Sequence, residues 1–346
     1  MRFFAVALTF IPSLALAQSS VSVTITPGAD FEQAASALNT TVAQLESELE
    51  AQVLEALALQ DPDEYLTSFA NAQAFSTKGI MADYASNFDS LLIGIGVNTA
   101  FSVSGSIDPD EAPVDAFAPN ISAMVGVDLG RLRLFLSGFS QSYTAGELAD
   151  QEGEYEVTFR NFGAHAQYKL LGDYDDGGTS YVWDWGGLDV TAGITRASTS
   201  LSLTTELPTE FALPGTDGAS LEANLLSQGT LDYEVTAFTI PVELTTNVTL
   251  LSVATLYGGI GTDIQLGDAS VSAELDGVLT ADDTNGNELD LGTAVVTAEQ
   301  SADASPGRLR ALVGLQVNLW VLKAYAQLNT LPGSVASVAT GLKVAF

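Results

Sequence analysis

From about Ser90 to Phe346 the chain alternates apolar with small or polar residues, which is the period-two pattern of strands with one apolar face. The last stretch shows it most clearly. Phe346, Val344, Leu342, Thr340 and Val338 fall on one face, and Ala345, Lys343, Gly341, Ala339 and Ser337 on the other. The same pattern predicts strands over Leu91–Val103, Ile121–Leu129, Leu132–Leu136, Phe162–Leu170, Leu188–Thr204, Ala237–Val248, Leu250–Leu266, Leu309–Leu319 and Trp320–Leu328. Alternation slips near Arg160-Asn161, which predicts a bulge or emergence from the membrane there. Long loops are expected at Asp108–Asn120, Glu206–Leu231 and Asp268–Pro306. In the last of these, the arms Val271–Leu279 and Leu291–Ala298 prolong the strands toward a hairpin tip at Asn285-Gly286.

Upstream the period changes. Residues 18–28 read as an exposed tail ending at Pro27-Gly28. Val42, Leu45, Leu49, Val53 and Leu57 then recur at helical spacing, with Thr40 or Thr41 able to cap. Asp61-Pro62-Asp63 breaks that run before a second short helix near Glu64–Asn71. Two helices in the periplasm or at the mouth of the β portion are expected. Before them, Met1-Arg2, the apolar stretch Phe3–Ala15 and Ala15-Leu16-Ala17 read as a secretory leader cleaved before Gln18.

No segment supplies the roughly 18 consecutive apolar residues of a membrane helix. An exported chain that is 47% hydrophobic and alternates throughout therefore points to a closed barrel, the β architecture that satisfies every backbone group in lipid. The fold class expected is all-β: a closed antiparallel transmembrane β-barrel of about ten strands, or twelve if the 268–306 arms join the wall, preceded by a short helical segment. The segments are the leader 1–17, a tail and helical segment 18–88 (periplasmic or plug), and the barrel 89–346. Alternating short and long connections put both barrel ends in the periplasm. Tyr174, Tyr181, Trp183 and Trp185 suit an interfacial aromatic girdle.

Charge changes the picture next. Eleven Lys+Arg against 43 Asp+Glu give a net charge of −32, which argues against nucleic acid as a partner. Divalent cations at the acidic loops stay open. Zero Cys rules out disulfides and thiol chemistry. Most of the bases sit on the face opposite the apolar one, so the expected lumen-lining set is Arg131, Arg133, His165, Lys169, Asp189, Glu243, Arg308, Arg310, Lys323 and Lys343, joined by Asp128 and Asp263. Such a lumen is either a positively lined passage for small anions or an interior filled by ion pairs.

His165 is the only histidine, and its inward neighbours on the same strand, Gly163 and Gln167, supply no nucleophile. Neither a catalytic site nor a cofactor is expected. The run Asp282–Asp290 fails as a calcium loop, with Ala281 and Gly292 where acidic ligands belong.

The alternating strands and terminal aromatic Phe346 resemble Gram-negative outer-membrane β-barrels, in which the last residue is part of the assembly signal. The likeness is greatest to small barrels with an N-terminal helical segment. It implies location in the cell outer membrane, contact with outer-membrane lipid, and assembly by periplasmic chaperones and the insertion machinery. The function expected is a structural or surface-interaction protein of the envelope. The alternative is a passive transporter or narrow channel for small anionic or hydrophobic solutes, in which residues 64–88, with Phe69, Phe75 and Phe88, act as a plug.

Overall fold

A computed structural model describes residues 20–38, 41–57, 62–85, 88, 90–102, 116–148, 151–172, 182–214, 220–282, 288–331 and 334–346. The expected leader, Thr40, Asp61, Tyr174, Tyr181, the hairpin tip at 285–286 and the turn at 332–333 lie outside them.

The elements in chain order are β1 (Ser20–Pro27), α1 (Phe31–Leu38), α2 (Val42–Leu57), α3 (Pro62–Ser76), β2 (Leu91–Ser102), β3 (Ala116–Asp128), β4 (Leu132–Leu148), β5 (Gln151–Leu171), β6 (Trp183–Pro214), β7 (Ser220–Leu250), β8 (Ala254–Asp282), β9 (Glu288–Asp303), β10 (Arg308–Leu319), β11 (Leu322–Leu331) and β12 (Val335–Ala345). Antiparallel pairing runs β2-β3-β4-β5-β6-β7-β8-β10-β11-β12 and closes where β12 meets β2, from Val335↔Ser102 to Ala345↔Leu92. The ring therefore has ten strands. The 12-stranded sheet includes β9 and β1, but these pair outside the ring: β9 with the outer half of β8, and β1 with β9.

Period-two patterning explains the wall. Leu134, Leu315, Ile95, Ile260 and Leu342 point outward and are exposed, whereas Phe135, Gln316, Gln327 and Lys343 on alternate positions are buried inside. Along β8 the outward apolar run Leu256–Leu266 corresponds to a belt about 25 Å tall, the height of a hydrocarbon core crossed by tilted strands. The tight turns at Leu129–Arg131, Leu251–Val253 and Trp320-Val321 gather at one end, together with Leu91 and Phe346. Leu251, Ser252 and Trp320 carry left-handed φ there, the conformation of tight hairpin turns. Trp183, Trp185 and Trp320 are exposed at that same end, which suits an interfacial girdle.

Several expectations change. The tail 18–28 contains β1. Val21, Val23 and Ile25 alternate with Ser20, Ser22 and Thr24, and this short period-two run pairs with β9 from Ser20↔Glu299 to Pro27↔Gly292. The loop expected at Glu206–Leu231 is a prolongation of the β6–β7 hairpin, paired from Glu206↔Gln228 to Pro214↔Ser220. The ladder runs unbroken past Arg160-Asn161, and the register shifts fall instead at Ala145/Glu147 and Lys169/Leu171. Arg160 is exposed because β5 has left the apolar belt by that point. Three helices replace the two expected, and Thr41 caps α2: its hydroxyl accepts from the Gln44 amide (3.3 Å) and donates to Gln44 Oε1 (3.0 Å).

The strands β6 to β9 rise beyond the ring on the long-loop side, and β1 is the edge of this extension. Ile25 N–H, on that edge, donates to Glu46 Oε1 of α2 (2.9 Å), which blunts an otherwise open template for strand addition. Val23, Ile25, Phe31, Leu45, Leu49, Leu279, Leu291 and Val296 form a core there between helices and sheet.

Candidate functional site: the occupied lumen

The chain descends through the ring in order. Leu66 and Ala70 of α3 pack on Val235, Ala269, Val271 and Ala304 at the long-loop end. Ala72 and Phe75 then meet Ala100, Ala116, Ala118, Leu331 and Val335. Ile80 and Met81 meet Tyr325 and Ala339, and Ala82, Tyr84, Ala85 and Phe88 reach Leu92, Met124, Phe135, Tyr257, Leu312 and Ala345 near the short-turn end. A helix does this at the long-loop end because its backbone groups bond internally. Below Ser76 the chain turns irregular, so wall side chains must satisfy its backbone. Asn98 donates to the Phe75 and Ser76 carbonyls (2.9 and 2.8 Å), Gln167 to Asp83 O (3.1 Å) and Asn247 to Tyr84 O (3.0 Å). Gly79, with φ +78, makes the bend after Lys78, and a Cβ there would stand 2.9 Å from Ala339 Cβ.

Two charges within this segment, Lys78 and Asp83, organise the interior. Lys78 Nζ lies 3.1 Å from Asp263, which Arg310 Nε also holds at 2.9 Å while its other arm bonds Glu243. Two cations thus face two carboxylates. Asp83 takes Lys343 Nζ at 2.8 Å, and that ammonium also sits 4.0 Å from the Tyr325 ring centroid. Arg133 bonds Asp128 (2.8 Å) and stacks over Phe88 at 5.4 Å. Charges this deep persist because each is paired.

The residues expected to line the lumen are placed as follows. Arg133, His165, Lys169, Asp189, Glu243, Arg310 and Lys343 are buried inside the ring, and Lys323 is half-buried near the short turns. Arg131 differs: it is exposed in the turn after Gly130, which takes positive φ, because the strand has already ended there. The side chain of Arg308 lies outside the described residues. Lys169 faces Asp189 across the β5–β6 ladder, and no ion pair closes between them among the described residues. His165 lies over Gly193, where a Cβ would meet its ring at 2.3 Å. Ser137 is near, but its hydroxyl donates to Gly163 O (3.4 Å), and no hydrogen bond to His165 is found among the described residues.

Lys78 and Asp83 were missed from the sequence. The available signal was that Lys78 is the first base after Arg2.

The model of the family described as Lsa36-like matches residues 15–346. The chain belongs to the Lsa36-like family. No curated protein matches this family member. Among solved structures it is similar to Ail, the attachment invasion locus protein of Yersinia pestis, at 12% identity and TM-score 0.24, covering 75% of this chain and 100% of that one. It is also similar to the toluene transporter TbuX of Ralstonia pickettii (9% identity, TM-score 0.28, 81% and 99% covered). A third is the translocator domain of the autotransporter NalP from Neisseria meningitidis (10% identity, TM-score 0.31, 74% and 89% covered). The strand ladder of this chain by itself shows the fold. A ring closed on itself, apolar outside and polar inside, is an outer-membrane β-barrel, and the membrane lipid is its surroundings.

Proposed function

We propose that this barrel is a non-enzymatic surface-interaction protein: a ring filled by its own N-terminal segment, holding an acidic β-sheet clear of the membrane. The observation that carries this is the length of β8. It runs for 29 residues, of which about ten suffice to cross lipid. The remainder pairs with β7 as far as Ala281 and with β9 from Asp268 to Asp282.

The outward face of this extension carries Asp232, Glu234, Asp268, Glu274, Asp276 and Glu299, all exposed. Ser20, Asp232, Glu234, Ser270, Ser272, Glu299 and Ser301 line a cavity of about 410 Å³ there. A surface of this sign draws cationic polypeptide, and salt screens the attraction. No group of three or more metal-ligating side chains is found among the described residues, so a basic protein surface fits this face better than a chelated cation. The test is binding of polylysine to purified protein in detergent. Asp232→Asn/Glu234→Gln/Glu299→Gln is expected to weaken it several-fold, with wild-type binding falling steeply in salt. Unchanged binding would sink the assignment of this face.

A second reading, passive transport past the plug, draws on an asymmetry. Lys78 and Asp83 are tied by ion pairs to β8 and β12, whereas among the described residues Asp189 Oδ1, Thr191 Oγ1 and Thr245 Oγ1 on β6 and β7 have no hydrogen-bond partner. Planar-bilayer conductance of the full chain, compared with Lys78→Met/Lys343→Met, separates the two readings. Openings in the variant support transport, and background current in both removes it.

A further inference from the structure

The N-terminal strand and the C-terminal residue lie at opposite ends of the barrel. Phe346 N–H bonds Leu91 O (2.9 Å) at the short-turn end, whereas β1 pairs with β9 on the part of the sheet that has left the ring at the long-loop end. Between these points the only route the described residues take is through the lumen, from Leu66 down to Phe88. Barrels of this class keep short turns in the periplasm and long loops outside. The leader expected at residues 1–17 delivers the chain to the periplasm, so residues 20–57 stand on the far side of the membrane from where they were released.

We propose that residues 20–57 are a surface module carried outward through the ring of this same chain, and that Lys78 marks where the passage stops.

Composition agrees with the geometry. No Lys or Arg occurs from Phe3 to Thr77, and Lys78 is the first cation the passing chain presents. Inside, the carboxylates of Asp263 and Glu243 are placed to catch it, with Arg310 already between them. Five residues on, Asp83 supplies the opposite charge to Lys343. The module ahead of this stop shares a core with β7, β8 and β9 and is jointed to β9: Asp290 N–H donates to Asp30 Oδ2 (3.0 Å) and Gly28 N–H to Leu291 O (3.0 Å). Docking on β9 outside, together with capture of Lys78 inside, makes the passage one-way. The passage is independent of the partner bound by the acidic outer face, which is carried mainly by β7, β8 and β9.

The experiment uses the full chain in its outer membrane. An epitope is placed directly before Ser20, and, in a separate variant, between Leu251 and Ser252 in a short turn. Heat-modifiable migration verifies that each barrel is folded. The first epitope is expected to bind antibody equally on intact and permeabilised cells, and the second only after permeabilisation. If the epitope before Ser20 needs permeabilisation, the passage is refuted, and the polylysine result stands apart from it.

The stop is tested with a thiol, since the chain has no Cys of its own. Ala74, buried at 0% exposure in α3, becomes Ala74→Cys. With Lys78 present, a membrane-impermeant maleimide outside the cell is expected to leave it unlabelled. Adding Lys78→Gln is expected to raise labelling at least fivefold. Equal protection in both variants would end the role given to Lys78, while the epitope result decides the passage on its own.

Discussion

Lys78 offers the sharpest energetic test, because its removal unbalances a buried group of four charges. Lys78 and Arg310 face Asp263 and Glu243, and each of the four side chains is at most 3% exposed. Lys78→Met keeps the aliphatic length but leaves one carboxylate in excess where water is shut out. Breaking one member of a buried pair costs about 3–5 kcal/mol. Asp263→Asn alone leaves one cation in excess and belongs in the same range. In Lys78→Met/Asp263→Asn the Arg310–Glu243 pair survives and the group is neutral again. The double variant should therefore lose only about 1–3 kcal/mol, well short of the sum of the singles. The assay is reversible urea unfolding of the refolded barrel in detergent, followed by tryptophan fluorescence. A coupling energy of at least about 3 kcal/mol is expected. Additive losses, or singles costing less than about 1 kcal/mol, would refute the claim that these charges hold the segment as one unit.

Other outcomes follow from the wall. Leu315→Arg, on the lipid face of β10, should cost about 2–4 kcal/mol in bilayers, and Leu319→Arg near the girdle only about 0–1, so equal costs would contradict the placement of the belt. At Gly314 a Cβ would stand 2.1 Å from Tyr257 Cζ, so Gly314→Val should lower the free energy of unfolding by about 1–3 kcal/mol. Gly314→Val/Tyr257→Ala should recover part of that loss, and absence of recovery would show that the clash is not the cause. The backbone of Phe346 bonds Ser90 and Leu91 whatever its side chain, but its ring is exposed at the short-turn end beside the aromatic girdle, where a carboxylate would meet lipid, so Phe346→Asp should reduce the folded fraction in cells as read by heat-modifiable migration. An unchanged folded fraction would remove Phe346 from the assembly signal.

Alternation alone placed most of the barrel. Leu134 and Leu315 face out and Arg133 and Gln316 face in, because a side-chain period of two leaves a strand one choice once one face must meet lipid. Short runs were harder to read. Val21, Val23 and Ile25 make an eight-residue strand beside helices, too brief to separate from a polar tail without its partner β9. The 206–231 stretch was equally opaque, since an extended hairpin in water needs no apolar face of lipid-spanning length.

The chain by itself therefore determined that its β portion closes into a membrane barrel, which way most wall residues point, and that its interior is polar. Those are local consequences of periodicity and of the backbone bonds that lipid cannot satisfy. Only the tertiary structure decided what fills the ring and where the N-terminal strand ends up. The contacts of Lys78 with Asp263 and of Asp83 with Lys343 span 185 and 260 residues. Pairings so distant leave no periodic trace in the sequence, because they are made by the curvature of the sheet and not by the spacing of neighbours.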